Sequence, residues 1–234
     1  SLDRAVAIKR IKTELRGNAE ISERFKREAR AAANLLHHNL AHVYDYLEHE
    51  NESYIIMEYI DGYDLSDIIA KTAPIPADVA LMIAAQTLTG LAYIHSYGMV
   101  HRDIKPDNIR VTTRGEIKIM DFGIAYDPAE GNLTRPGMLV GSPHYLAPEQ
   151  IVGAKLDSRA DLFAFGITFY EMLTGRKPFI EDEKNTIFQV IQRGEYLPIE
   201  KFRSDLNPFV TRMVENCLEV NPSKRTSSSM RLAE

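Results

Sequence analysis

The sequence predicts an α+β chain in two unequal lobes, a small β-containing one followed by a larger helical one, and three observations carry that prediction. Two β-branched, apolar runs, AVAIKRI (5–11) and SYIIME (53–58), flank helical text in the first quarter of the chain. After DGYDL (61–65) the pattern turns helical and stays so, with one loop-rich interruption. DLFAFGITFYEMLTG (161–175) is apolar nearly all round, which is the text of a helix buried on every side and the expected centre of the second half.

Taken in order, the first run places Ala7 and Lys9 on one strand face and Val6 and Ile8 on the other. In ISERFKREARAAANLLHH (21–38) a helical period puts Ile21, Phe25, Ala29, Ala32, Ala33 and Leu36 on one face, with Ser22 as the expected N-cap and Arg24, Lys26, Arg27 and Arg30 outward. Pro76 opens a long amphipathic helix that runs to about Ser96 and stops at Gly98. Strand-like IRV and EIKIM flank a TRGE turn at 113–116. Near the end Val210, Met213, Val214, Cys217 and Leu218 fall at helical spacing, so Cys217 reads as core packing rather than as a nucleophile.

Composition narrows the function classes. The 234 residues hold 28 Lys+Arg against 33 Asp+Glu, a net charge of −5, which argues against a protein that coats nucleic acid or anionic membrane. A chain this long can bury roughly 70–75% of its unfolded surface without staples. The single cysteine can form neither an internal disulfide nor a cysteine zinc site, and fits a reducing, cytoplasmic setting. No apolar run approaches the ~18 residues of a membrane span. No signal-peptide order opens the chain, and no histidine shows metal-ligand spacing with acids or cysteines.

The chemistry concentrates in HRDIKPDN (101–108) and in DFG (121–123), which begins thirteen residues past Asn108. Two acids and an asparagine on loops beside a short hairpin suggest oxygen ligands for hard cations. With VAIK (6–9), MEYIDG (57–62), GSPHYLAPEQ (141–150), DLFAFG (161–166) and NPSKR (221–225), the whole chain resembles a eukaryotic-like serine/threonine protein kinase catalytic domain of the type common in bacteria. Each string alone is weak; their joint order and spacing are what carry the resemblance.

The resemblance implies a bilobal fold divided as 1–57 for a partial small lobe, 58–64 for a hinge and 65–234 for the large lobe, with ATP and Mg2+ as cofactors and Ser/Thr hydroxyls of proteins as substrates. Asp103 is expected to take or orient the proton of the attacking hydroxyl, Lys105 to offset charge on the transferring group, and Asn108 and Asp121 to supply oxygens to magnesium. Lys9 is expected to pair with Glu28, a carboxylate on the apolar helix face that needs a cation, and to hold the α/β-phosphates. The Glu58 carbonyl and Ile60 amide are expected to meet adenine, Met57 to fill the back of that pocket, and Asp64 to bond a ribose hydroxyl. Arg102 is expected to receive a phosphate on the 124–146 segment, with self-association leading to autophosphorylation at Thr134. Ser142 stands where the family usually has threonine, and its hydroxyl is expected to bond the catalytic Asp and Lys. Glu149 and Arg225 should form a buried ion pair, Asp161 should accept backbone N–H bonds from the 101–108 loop, and His101 and Phe122 should be packing members of a stack linking the lobes.

One departure stands out: the family has two strands and a G-x-G-x-x-G loop before its VAIK strand, and here Lys9 comes too early to leave room for them. The sequence therefore reads as a kinase domain cut short at its N-terminus, in which weak nucleotide binding and little turnover are expected. It can equally be the cytosolic part of a longer, membrane-anchored protein, although no membrane segment is expected within these residues. Two alternatives are a pseudokinase-like binding or scaffold module, favoured by the missing loop, and a small-molecule kinase, disfavoured by the peptide-docking-like GSPHYLAPE.

Overall fold

The structure, a computed structural model, describes residues 4–10, 19–49, 52–121 and 142–233, apart from the side chains of residues 19–21, 24, 28 and 231. The smaller lobe is an antiparallel sheet of β1 (Val6–Arg10), β2 (Val43–His49) and β3 (Glu52–Glu58) in the order β1-β3-β2, with helix α1 (Ala19–Ala33) packed across β2 and β3. In β1 the register sets Lys9 opposite Ile55, and Ala7 and Lys9 turn inward while Ile8 is 61% exposed, as the alternation predicts. Strand β2 has no counterpart in the sequence reading. Its charged residues, its exposed Leu47 and the β-bulge between Val43 and Asp45 break the alternation by which a strand is recognised.

Helix α1 corrects two expectations. It starts at Ala19, so Ser22 lies within the helix and is not its cap. It also ends at Ala33, before the helical period reaches Leu36, and the turn that follows buries Leu35 while Leu36 is 65% exposed, its amide donating to the Tyr93 hydroxyl. Phe25, Ala29 and Ala32 are buried as expected, whereas Ala33 is exposed.

The larger lobe begins with β4 (Gly62–Asp64), which joins β5 (Ile109–Thr112) and β6 (Ile117–Ile119) in a second antiparallel sheet. Gly62 lies so close to β5 that a Cβ there would stand 2.1 Å from the Val111 carbonyl oxygen. The helices are α2 (Leu65–Thr72), α3 (Ala77–Ser96), α4 (Pro148–Ile151), α5 (Ser158–Thr174), α6 (Ile187–Arg193), α7 (Pro208–Cys217) and α8 (Ser229–Ala233). Among the described residues α3 is the one helix long and apolar enough to cross a bilayer, yet Leu88, Leu91 and Ile94 are fully buried against the lobe's core.

Helix α5 is the centre of that core, buried from Ala160 through Tyr170. Asp157 caps its N-terminus by accepting from the Arg159 amide, and Gly175 at φ 71° ends it in the left-handed region that only glycine enters freely. Gly166 gives α7 its close approach, since a Cβ there would fall 2.5 Å from that of Cys217. Burial pushes the Cys217 thiol up to about 12, so it is packing and not a nucleophile.

Candidate active site

The HRDIKPDN loop leaves α3 and enters β5, and it is held from beneath by one carboxylate. Asp161, in the first turn of α5 and 1% exposed, accepts from the His101 amide on Oδ2 and from the Arg102 amide on Oδ1, each at 2.8 Å, while His95 Nε2 donates to Oδ2 at 2.8 Å. Burial alone would push this carboxyl up. The His95 hydrogen bond, the nearby imidazoles and the Arg102 amide outweigh it and hold Asp161 below the usual carboxylate range. That grip matters because Arg102 sits at φ 72°, a backbone state that a side-chain-bearing residue keeps only when its surroundings impose it.

His101 is buried, and burial holds its imidazole below the ordinary histidine value. Its Nε2 donates to the Met120 carbonyl at 3.0 Å and its Nδ1 accepts from the Asp103 amide at 3.3 Å, which together specify one neutral tautomer. His101 thus ties the loop to the residue before Asp121 and has no opening to act as a base.

Asp103 follows directly. Lys105 Nζ donates to its Oδ2 at 2.7 Å, and Asn108 Nδ2 donates to the same oxygen at 2.8 Å and to the Asp103 carbonyl at 2.7 Å. Pro106 starts a 3-10 turn over Pro106–Asn108 that brings Asn108 back over Asp103. The Asp103 side chain is 36% exposed and so remains open to a reactant. Next to this trio the Asn108 carbonyl accepts from the Met120 amide, and Asp121 follows at φ 52°.

Lys9 reaches Asp121, with Nζ and Oδ1 2.9 Å apart. The expected Lys9–Glu28 pair involves a side chain outside the described residues, as do Phe122 and Thr134. Met57, Met120 and Asp121 line a cavity of about 20 Å3 together with Ala29, Ala32 and Ala41.

The connector between the lobes, Tyr59–Asp61, is clamped from both sides by residues that sequence reasoning missed. Lys118 Nζ lies 3.0 Å from Glu58 Oε1, and the His42 amide donates to Glu58 Oε2 at 3.2 Å. Arg110 donates to the Ile60 and Gly62 carbonyls and pairs with Asp64 Oδ1 at 2.8 Å. Asp64 therefore has an internal cation on one carboxylate oxygen, and the Ile60 carbonyl has an internal donor. No local pattern could have flagged Arg110, whose partners lie 46–50 residues away in sequence.

Behind the loop, Gln150 Nε2 donates to the Arg102 carbonyl. Arg225 and Glu149 form the expected buried ion pair, bidentate at 2.7 and 3.0 Å. Ser142 departs from expectation: among the described residues its hydroxyl faces His144 Nδ1 at 3.5 Å rather than Asp103 or Lys105, whose head groups are already bonded to each other.

Comparison with known proteins gives the family. The family profile described as protein kinase domain matches residues 1–234, and the chain belongs to that family. A probable serine/threonine-protein kinase of Clostridium perfringens is 37% identical over 224 residues, 96% of this chain and 33% of that protein. The serine/threonine-protein kinase PksC of Streptomyces coelicolor is 41% identical over 239 residues, 97% of this chain and 43% of that protein. The chain thus spans well under half the length of these curated relatives. The kinase domain of Mycobacterium tuberculosis PknI superposes with a TM-score of 0.76 at 28% identity, covering 97% of this chain and 83% of that one. Rad53 residues 1–466, solved with AMP-PNP, gives 0.80 at 29% identity, covering 98% and 57%.

Proposed function

We propose that the chain is the catalytic domain of an ATP-dependent protein serine/threonine kinase. The observation that carries the reading is the arrangement of Asp103, with Lys105 and Asn108 on its carboxylate, beside the Lys9–Asp121 pair and above the buried Asp161. A half-exposed carboxylate with a lysine at 2.7 Å is suited to orient a hydroxyl and receive its proton, while Lys105 offsets charge on the phosphoryl group as it is transferred. Lys105 beside Asp103 favours Ser and Thr hydroxyls over Tyr in proteins that resemble this one.

The donor set fits magnesium. Asn108 commits its amide nitrogen to Asp103, which leaves the amide oxygen as the atom to coordinate, and Asp121 supplies a carboxylate 38% exposed. Magnesium takes few protein ligands and completes its shell with phosphate oxygens and water. Bound there, magnesium would supply positive charge that offsets the charge of the nucleotide phosphates. Lys9, now on Asp121, is the cation positioned to pass to the nucleotide phosphates. Glu58, Ile60 and Met57 border the adenine position, and Asp64 is left one carboxylate oxygen for a ribose hydroxyl beyond its pair with Arg110.

Transfer of radiolabelled γ-phosphate from magnesium-ATP to a generic basic protein, followed by phosphoamino-acid analysis, tests this reading. Phosphoserine and phosphothreonine are expected. Nucleotide binding with no transfer above a heat-killed control would reassign the chain to a binding or scaffold role.

A further inference from the structure

The grip of Asp161 on the HRDIKPDN loop has an outer support that the kinase reading does not use. His95, on the last turn of α3, donates from Nε2 to Asp161 Oδ2 at 2.8 Å, and its Nδ1 lies 3.2 Å from the hydroxyl of Ser229. Ser229 opens α8, which packs along α3, and is 4% exposed; the His95 side chain is 10% exposed. We propose that Ser229 is a positioning residue for the loop: its hydroxyl sets the tautomer of His95, and His95 holds the carboxylate that fixes Arg102 and Asp103. The proposal rests on the kinase reading for its effect on turnover, but not for the tautomer.

The chemistry follows from counting protons. A carboxylate oxygen only accepts, so the nitrogen facing Asp161 carries hydrogen. In a neutral imidazole the other nitrogen then holds a lone pair, and in this buried place it needs a donor. The Ser229 hydroxyl, 3.2 Å from Nδ1 across 134 residues of sequence, is placed to supply one. Without it His95 either keeps an unsatisfied nitrogen or moves its proton to Nδ1 and turns a lone pair toward the Asp161 carboxylate, which repels it. Both outcomes disturb Oδ2, which His95 shares with the His101 amide at equal distances of 2.8 Å. The neighbouring oxygen holds the Arg102 amide at its left-handed backbone position, and Asp103 is the next residue. A change on α8 thereby reaches the reacting carboxylate through three hydrogen bonds.

Two variants separate the hydroxyl from its volume. Ser229→Ala removes both, and Ser229→Cys keeps a side chain of similar size with a much weaker donor. In both, kcat is expected to fall about five- to twentyfold, the scale of one lost buried hydrogen bond, with KM for ATP changed less than twofold. Long-range 1H–15N spectra of the His95 ring are expected to show protonated Nε2 and bare Nδ1 in the wild type, and a shifted or mixed tautomer in both variants. Wild-type kcat in the cysteine variant would reduce Ser229 to a space filler, and an unchanged His95 spectrum in both variants would overturn the relay. If the wild-type protein transfers no phosphate at all, the kinase reading fails and takes the effect on kcat with it, while the spectrum still decides whether Ser229 sets His95.

Discussion

Three aspartates within one region of the fold have opposite surroundings. Asp161 is 1% exposed, its oxygens taken by two loop amides and an imidazole. Asp103 and Asp121 have side chains 36% and 38% exposed, each facing a lysine ammonium. A carboxylate sealed in with fixed donors cannot exchange partners cheaply, so it imposes geometry. A carboxylate at the rim of the cleft can trade its lysine for a metal ion or a hydroxyl, because water reaches it. On the proposed function, anchoring is thus separated from chemistry within a few residues of chain: Arg102 belongs to the anchor and Asp103 to the cleft.

The sharpest way to break this contrast is at Asp103 itself. Asp103→Asn is expected to lower phosphoryl transfer by ~10²–10⁴ while leaving nucleotide affinity within a few-fold and thermal stability close to wild type. Retention of more than a tenth of wild-type kcat would remove Asp103 from the chemistry. On the anchored side, Glu149→Ala strands the buried Arg225 guanidinium, whose side chain is 0% exposed, and is expected to cost about 3–5 kcal/mol in urea unfolding. A loss below about 1 kcal/mol would mean that water reaches that pair.

The same division predicts a dependence on pH. His101 is held below its ordinary value by burial, so as pH falls through about 6.5 the unfolded chain takes up a proton that the folded chain refuses. Its contribution to stability is full above that point and is lost below it. His37 and His144 are also lowered, again with burial as the first cause, and add to the same slope. Urea unfolding at pH 7.5 and 5.5 should therefore give a lower stability at the acid end, and His101→Phe should flatten the drop. A drop of equal size in the variant would place its origin elsewhere. The smallest effect belongs to the rim: Lys9→Met, at a pair with side chains about one-third exposed, should change stability by less than ~1 kcal/mol while weakening magnesium-ATP binding.

What the sequence made legible was whatever it writes contiguously. HRDIKPDN, DFG and the all-round apolar text of α5 each specify their own local structure, and Asp161, Glu149 and Arg225 stand where the motifs imply. Partnerships between distant segments were hidden. Arg110 closes on Asp64 from 46 residues away, Lys118 on Glu58 from 60, and Ser229 on His95 from 134. Each is an ordinary polar residue in its own neighbourhood, given meaning only by the packing of one element on another. Strand β2 was hidden for a local reason, the bulge and charges that spoil its alternation. Leu36 misled because a helical period says nothing of where the helix stops.

The central claim, that one aspartate anchors while another binds, is tested most directly by the thermal unfolding of wild type, Asp161→Asn and Asp121→Asn, each without and with saturating magnesium-ATP. A ligand that binds only the folded state stabilises it by RT ln(1 + L/Kd), where L is its free concentration, and so raises Tm with the logarithm of its concentration over Kd, and both properties appear in one measurement. Without ligand, Asp161→Asn is predicted to melt several degrees below wild type and Asp121→Asn within about a degree of it. With ligand, Asp161→Asn should keep the upward shift seen in wild type and Asp121→Asn should lose it. An Asp121→Asn protein that melts as low as Asp161→Asn, yet still gains the full shift from magnesium-ATP, would contradict the division.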